Sequence, residues 1–278
     1  MKITILIEND GPSRYETEHG LAIHITYNKK NYLLDAGATD AFVQNAKMLG
    51  VQLKDVNKAV LSHAHYDHSG GFKAFFKNNK KAKVYLRKEA KRLCYIKTMF
   101  GKKYIGIPKG FLNTYEHRLE FISKDCQLDK GVWLIGHKTV GLEERGRKAK
   151  MYCETKNGLK PDDFAHEHSL VFETDKGLVI FNSCSHAGME NIVNEVKDKF
   201  PGVDVYAVFG GLHLMGMRGA KTLGTSKDEV RSLAETLNYQ NIQNIYTGHC
   251  TGTPAYKIMS EVLGSKLNHM ETGTVIEI

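Results

Sequence analysis

The 278-residue sequence contains no apolar run as long as a membrane-spanning helix, which needs about 18 or more residues. At the N-terminus, MKITILIEND has only the short run ITILI between Lys2 and Glu8, too short for a signal-peptide core. The five cysteines are widely spaced and include no CxxC pair, so reduced thiols are expected rather than a disulfide framework. We therefore expect a cytoplasmic protein with no membrane association.

The composition is ordinary for a globular protein, with 41% hydrophobic and 25% charged residues. The net charge of +8 has two interpretations: a solvated basic surface, or attraction of an anionic small-molecule substrate such as a phosphate ester. Nucleic acid is a weaker candidate, because the basic runs KNNKKAK and RGRKAK contain no interleaved aromatic residues and no nucleic-acid motif.

The most informative stretch is KAVLSHAHYDHSGGF, residues 58–72. Its apolar start predicts a short buried strand, after which His63, His65, Asp67 and His68 follow within six residues. Alternate residues of an extended chain share a face, so we expect the first three side chains to point into one pocket. His68 joins them only if the backbone turns there, and the following Ser-Gly-Gly favours a turn.

Three imidazoles and one carboxylate at one point would be costly to desolvate without a cation. Histidine nitrogens and carboxylate oxygens are common ligands of divalent metals such as zinc. A metal site is therefore favoured over a solvated loop that happens to be rich in histidine.

With LLDAGA, NSCSHAG, FGGLHL and GHCTG, the segment SHAHYDHSGG resembles the metallo-β-lactamase superfamily along most of the chain. The order of these segments resembles the branch of archaeal dihydropteroate-synthase-like enzymes, named for joining a dihydropterin to a ribofuranosylaminobenzene phosphate. The resemblance implies an α/β fold, the metallo-β-lactamase-like αβ/βα four-layer sandwich, with one or two metal ions at its edge.

The resemblance also implies a ligand set. One ion would take His63, His65 and His186, and the other would take Asp67, His68 and His249. Three protein ligands per ion leave a position for water, as in catalytic rather than structural sites. We expect two divalent ions, with zinc favoured and manganese or iron as alternatives. Asp35 would brace the metal loop by hydrogen bonds without binding metal.

Two further side chains keep two interpretations each, and a third is given no role. His213 matches the GGxHL segment of the branch and is either a substrate or transition-state contact or a satisfied strand-end histidine. Either Cys184 or Ser183 occupies the place where many relatives carry a bridging aspartate, and Cys184 is either a soft ligand or a small strand-end residue. Cys250 would point away from His249 in an extended chain, so no role is predicted for it.

The remaining histidines are given no functional role, because no spacing singles them out: His19, His24, His117, His137 and His269. His166 and His168 have HxH spacing that could bind metal, but they match no ligand segment of the branch.

Strands and helices alternate in both halves of the sequence and favour one α/β domain spanning residues 1–278. Predicted strands cover residues 3–7, 21–27, 31–35, 82–86, 132–135, 169–174, 177–182, 203–209 and 242–246. Predicted helices cover residues 39–49, 71–78, 87–98 and 188–199, a capped helix running from Ser226 to about residue 238, and a last helix opening at Thr253-Pro254.

Residues 99–160 show no clear periodicity and, apart from the predicted strand at residues 132–135, are predicted to be loops. They form either a pocket-covering insertion that sets specificity or a variable surface insertion.

Two chemistries follow from the sequence. The first is a metal-dependent hydrolase in which a metal-activated water attacks a phosphorus or carbonyl carbon. Asp67 orients the water, and the substrate is a phosphorylated or other anionic small molecule. The second is the condensing transferase reaction of the branch name. A redox role is disfavoured because di-iron relatives carry glutamate where His65 stands. Large-insert nucleic-acid-processing enzymes need an additional domain, for which the chain has no room.

Overall fold

The computed structural model describes all 278 residues. Its strands are β1 (Lys2–Ile7), β2 (Ala22–Tyr27), β3 (Lys30–Leu34), β4 (Lys58–Val60), β5 (Val84–Arg87), β6 (Cys94–Thr98), β7 (Gly101–Tyr104), β8 (Leu119–Ile122), β9 (Cys126–Asp129), β10 (Val132–Gly136), β11 (Met151–Thr155), β12 (Gly158–Pro161), β13 (His168–Thr174), β14 (Gly177–Phe181), β15 (Val205–Phe209), β16 (Met215–Gly216), β17 (Gly219–Leu223), β18 (Asn244–Thr247), β19 (Leu267–His269) and β20 (Val275–Glu277).

The helices are α1 (Ala41–Met48), α2 (Tyr66–Ser69), α3 (Phe72–Asn78), α4 (Phe111–Thr114), α5 (Glu143–Lys148), α6 (Met189–Lys199), α7 (Lys227–Tyr239) and α8 (Thr253–Leu263). None of them combines the length and apolar character that a membrane crossing requires. Residue contacts divide the chain into two compact units. Whether these act as the predicted single domain stays a prediction.

The first unit comprises residues 1–124, 140–168 and 271–278. Its seven-stranded sheet has the order β20-β1-β2-β3-β4-β5-β8, antiparallel from β20 to β3 and parallel from β3 to β8. Strand β1 forms because five consecutive residues, ITILI, are all buried, as expected for a strand covered on both faces. A smaller antiparallel sheet, β12-β11-β6-β7, belongs to the same unit.

The second unit comprises residues 125–139 and 169–270. Its sheet has the order β19-β18-β15-β14-β13-β10-β9, in which β14, β15, β18 and β19 run parallel. Helix α6 buries Met189, Ile192, Val193 and Val196, a spacing that places all four on one helical face. The predicted capping box at the start of α7 is confirmed, with Ser226 and Glu229 making both reciprocal hydrogen bonds.

Two predictions of secondary structure are wrong. The helix predicted over residues 87–98 is a short 3-10 turn, Lys88–Lys91, followed by strand β6. The cross-strand pairing of β6 with β7 and β11 overrides the helical appearance of the basic sequence, and CYIKT is rich in strand-favouring residues.

Residues 99–160 are also not simply loops, because they hold β7 through β12. Strand β8 extends the first unit's large sheet, and β9 and β10 extend the second unit's sheet. The strands are short and irregularly spaced, so the sequence shows no long periodic run. That any part of this stretch covers a pocket stays a prediction.

Candidate metal centre

The histidine-rich motif follows strand β4 in the first unit. His63 is 0% exposed, His65 4%, Asp67 7% and His68 0%. His65 is extended, whereas Asp67 and His68 lie in the single helical turn α2. The prediction that Asp67 shares an extended face with the first two histidines is therefore wrong, because the chain turns at Tyr66, two residues before His68. That turn brings His68 to the other histidines, with its ring centroid 4.3 Å from that of His63.

The paired glycines that follow α2 are required by close backbone contact rather than by an unusual turn. Both Gly70 and Gly71 have ordinary right-handed helical backbone angles. A Cβ at Gly70 would lie 2.0 Å from the carbonyl oxygen of Ala38, and one at Gly71 would lie 1.9 Å from that of Ala36. Any side chain here would push the metal motif away from the segment that follows β3.

Asp35 braces the motif, as the resemblance implied. Its Oδ1 accepts the Ser62 backbone N–H at 2.7 Å, and its Oδ2 accepts the Ser62 hydroxyl at 2.7 Å. Oδ2 also lies 2.7 Å from Nδ1 of His68. Asp35 is fully buried and has a left-handed φ of 58°, a conformation that aspartate and asparagine tolerate better than most residues.

These bonds assign the histidine tautomers. A carboxylate only accepts hydrogen bonds, so Nδ1 of His68 must donate to Asp35. The Ser62 hydroxyl gives its one proton to Asp35 and therefore accepts from Nδ1 of His63, 2.8 Å away. In the neutral form of each ring Nε2 then carries the lone pair that a metal ion requires, and a carboxylate placed in this way is common behind metal-binding histidines. The residues fit a divalent ion.

The electrostatics of the motif also favour a cation. Burial, and secondarily the neighbouring His166, lowers the pKa of His65 to about 3, which keeps its ring neutral and able to donate electrons to a metal. Burial also works to lower the pKa of His68, but Asp67 and Asp35 overcome it and raise that pKa to about 10. The carboxylates that stabilise positive charge on His68 would equally stabilise a bound metal ion.

His166 and Asp162 are supporting residues that the sequence did not reveal. Nδ1 of His166 accepts the backbone N–H of Ala64 at 3.2 Å, between the two motif histidines. Its Nε2 lies 3.1 Å from Oδ2 of Asp162, so we assign the proton to Nε2. Both side chains are fully buried. Because both of its nitrogens are engaged in this way, His166 holds the motif in place.

Two other histidines contact the motif segment. Nε2 of His168 donates to the carbonyl oxygen of Leu61 at 2.9 Å. His168, the second histidine of the HxH pair, therefore also holds the motif segment in place. Nε2 of His19 lies 3.4 Å from Oδ2 of Asp67, with its side chain 45% exposed. This contact joins segments that are distant in the sequence, so no local spacing could have indicated it.

In the second unit, three parallel strands are followed by the predicted histidines. His186 follows β14, His213 follows β15 and His249 follows β18. The rings of His186 and His213 lie 4.3 Å apart. His213 also has a left-handed φ of 50° and a buried Nδ1 with no hydrogen-bond partner. These facts place His213 with a candidate ligand, while its role as a substrate contact stays a prediction.

Cys250 does not point away from His249, so that expectation is wrong. The chain is not extended here, because His249 has a φ of 47° and begins a 3-10 turn. The Sγ atoms of Cys184 and Cys250 and a ring nitrogen of His249 all lie within 4.8 Å of one another, and all three residues are buried. This cluster is a second group of potential metal ligands.

Several neighbouring groups fix the position of the Cys250 thiol and favour its ionised form. The backbone N–H of His213 donates to its Sγ at 3.3 Å. A Cβ on Gly211 would lie only 2.4 Å from that Sγ. Burial opposes ionisation, but contacts with Cys184, His213 and His249 lower the pKa of Cys250 well below its usual value. The environment therefore favours the thiolate, the form in which cysteine binds metal.

Hydroxyl groups hold the neighbouring backbone. Oγ1 of Thr251 accepts the N–H of Leu212 at 3.0 Å and lies 2.5 Å from Oγ1 of Thr247. All of these groups are buried. This neutral pair connects the loop after β15 with the turn after β18, the two segments that carry His213 and Cys250.

Comparisons with known proteins agree with this description. Residues 17–151 match the model of the metallo-beta-lactamase superfamily. A Methanocaldococcus jannaschii protein named 7,8-dihydropterin-6-methyl-4-(beta-D-ribofuranosyl)-aminobenzene-5'-phosphate synthase is 27% identical over 284 residues. The match covers 95% of this chain and 92% of that protein. An uncharacterized protein of the same organism is 27% identical, with 99% of this chain and 100% of that protein covered.

The fold is also found among solved structures. The crystal structure of a metal-dependent hydrolase of the beta-lactamase superfamily aligns with a TM-score of 0.84 and 27% identity. The alignment covers 100% of this chain and 99% of that one. These matches confirm both the predicted fold class and the resemblance carried by the sequence motifs.

Proposed function

This chain is a metallo-β-lactamase-fold protein, and on that premise we propose that it is a metal-dependent hydrolase of a phosphorylated or other anionic small molecule. The ions would be two divalent metals, with zinc favoured and manganese or iron as alternatives. The proposed ligands are His63, His65, Asp67, His68, His186 and His249.

The observation that carries this proposal is the hydrogen-bond network of Asp35. Asp35 accepts the Nδ1 proton of His68 directly, and it orients the Ser62 hydroxyl to accept the Nδ1 proton of His63. Both Nε2 atoms are thereby left to face a metal ion. A buried carboxylate committed to three donors is a costly arrangement for simple stability. It is well suited to preparing imidazoles as metal ligands.

The roles of the remaining groups follow from their positions. Bound ions would supply Lewis acidity and a water nucleophile at neutral pH. Asp67 would orient that water through its carboxylate, whose Oδ2 lies 3.4 Å from Nε2 of both His19 and His68. His213 would contact the oxygen that becomes negative as the substrate is attacked. The net charge of +8 favours anionic substrates.

A substrate panel with a matched pair of variants tests the proposal. Zinc- or manganese-loaded protein is assayed on a phosphodiester, a phosphomonoester and a lactone, alongside Asp67→Ala and the control Asp198→Ala, which removes an exposed carboxylate from α6. We expect Asp67→Ala to lose activity by about 100-fold or more while retaining metal at His63 and His65, and the control to match wild type. Full activity of Asp67→Ala would refute the proposal.

A condensing transferase is the second candidate, because the Methanocaldococcus jannaschii relative is named as a synthase. In that reaction a pyrophosphate would leave the pterin methylene as an aromatic carbon or amine attacks it. Incubating the metal-loaded protein with the dihydropterin diphosphate and the ribofuranosylaminobenzene phosphate tests it by mass spectrometry. Formation of the condensed product would favour the transferase over the hydrolase, and its absence would dismiss the transferase.

A further inference from the structure

We propose that the second unit binds its metal ion through two thiolates and one imidazole, those of Cys184, Cys250 and His249. The inference rests on the proposed function, in which His249 is a metal ligand, and it deepens that function by adding two thiolates to the donors proposed for that ion. It assigns a ligand role to Cys250 and makes Cys184 a donor where many relatives carry a carboxylate.

The donor distances fit such an ion. The three donor atoms lie within 4.8 Å of one another. Two thiolates bound at 2.3 Å to a tetrahedral zinc are separated by about 3.8 Å. Closing the cluster around an ion therefore needs a contraction of about 1 Å or less, which side-chain rotation can supply.

The charges also fit. Cys184, Cys250 and His249 are 3%, 4% and 3% exposed, so an isolated thiolate among them would be costly to bury. Two thiolates and a neutral imidazole around a divalent cation sum to zero charge. The ion therefore removes the cost of burying the thiolates, and the thiolates remove the cost of burying the ion.

The Cys250 thiol donates one long hydrogen bond, 3.8 Å from Sγ to the carbonyl oxygen of Cys184, and metal binding would release that proton. The His213 N–H points at Sγ, and N–H donors to sulfur stabilise the charged form of a ligand. Gly211 leaves room for the sulfur that no larger residue would leave. By contrast, Cys126 in strand β9 is only partly buried and is not in this cluster.

Two thiolates change which metals the unit selects. Soft sulfur donors favour zinc, cobalt or ferrous iron over magnesium and manganese, which prefer oxygen. We therefore expect the ion at His249 to be retained when manganese is offered in competition with zinc.

Cobalt(II) alone is the probe for the first test. Apoprotein kept reduced is titrated with cobalt and followed in the near ultraviolet, where thiolate-to-cobalt charge transfer absorbs. Cys126→Ser is the matched control, with the same change in the same unit. We expect wild type and the control to show equal charge-transfer intensity, Cys184→Ser and Cys250→Ser about half of it, and the double variant none.

Each result separates the two proposals. If wild type binds no cobalt or zinc at all, the proposed metal-dependent function fails and this inference fails with it. If wild type binds its ions but shows no thiolate absorption, or if the serine variants keep it undiminished, only this inference is overturned. Circular dichroism of the apoproteins shows whether each variant is folded.

A measurement on wild type removes any dependence on the variants. X-ray absorption at the zinc edge is recorded on zinc-loaded protein. We expect sulfur scatterers at about 2.3 Å in addition to nitrogen and oxygen at about 2.0–2.2 Å. A first shell made of nitrogen and oxygen alone would overturn the inference.

Discussion

The two units support their candidate ligands by different physical means. In the first unit, buried carboxylates do so, with Asp35 holding Ser62 and His68 and Asp162 holding His166. In the second unit, backbone N–H groups and hydroxyls do so, around Cys250 and Thr251. Charge-assisted hydrogen bonds are about twice as strong as neutral ones. The loss of one such bond should therefore have a larger effect on the candidate ligands of the first unit.

The difference follows from the donors themselves. A histidine has two ring nitrogens, so the hydrogen-bond partner of one nitrogen decides whether the other carries the lone pair that binds metal. A thiolate has a single sulfur, and N–H donors suffice to favour its charged form. Carboxylates therefore appear behind the imidazole ligands of the first unit, whereas neutral donors surround the thiols of the second. Three substitutions test this contrast.

The largest effect is expected for Asp35→Asn. An amide nitrogen at the Oδ2 position would face the Ser62 hydroxyl and Nδ1 of His68, so His68 would have to move its proton to Nε2 and lose its metal lone pair. We expect a loss of about 3–5 kcal/mol in the free energy of unfolding and loss of metal from the first unit. Asparagine tolerates the left-handed φ at this position, so backbone strain does not contribute.

Urea unfolding of the apoprotein and chelator competition measure the two effects separately. The exposed Asp198→Asn serves as the control for removing a negative charge. If Asp35→Asn binds zinc with wild-type affinity, then the tautomer assignment of His63 and His68 is wrong and the contrast between the units disappears.

The second prediction concerns His166, whose support is indirect. His166→Leu removes the acceptor for the Ala64 N–H and should weaken metal affinity by about 10- to 100-fold, as for other residues behind metal ligands. His166→Asn places an amide oxygen near the original Nδ1 and should restore part of that affinity, whereas His166→Gln should not. Zinc dissociation constants measured by competition decide this. Equal losses in all three variants would indicate a general packing role instead.

The sequence predictions succeeded for features that depend on neighbouring residues and failed for contacts between distant segments. The bracing by Asp35 was implied by the family resemblance, whereas the capping box of α7 and the histidines after β14, β15 and β18 were predictable from a local spacing or a strand end. The Ala64–His166 contact joins residues 102 positions apart and leaves no local pattern. Cys250 was missed because one left-handed residue, His249, reverses the direction in which an extended chain would point the sulfur.

The smallest effect is expected for Thr251→Val in the second unit, which keeps the side chain's shape and removes its hydroxyl. The Leu212 N–H and the Thr247 hydroxyl would lose a neutral partner, which should cost about 1–3 kcal/mol in the free energy of unfolding. Thr251→Ser should recover most of that loss. Because the Cys250 sulfur keeps its His213 N–H, zinc affinity should change by less than about 10-fold, in contrast to Asp35→Asn. If Thr251→Val instead abolished zinc binding, as Asp35→Asn is expected to do, then neutral and charged hydrogen-bond partners would be equally important. The type of ligand would then not explain which kind of partner each unit uses.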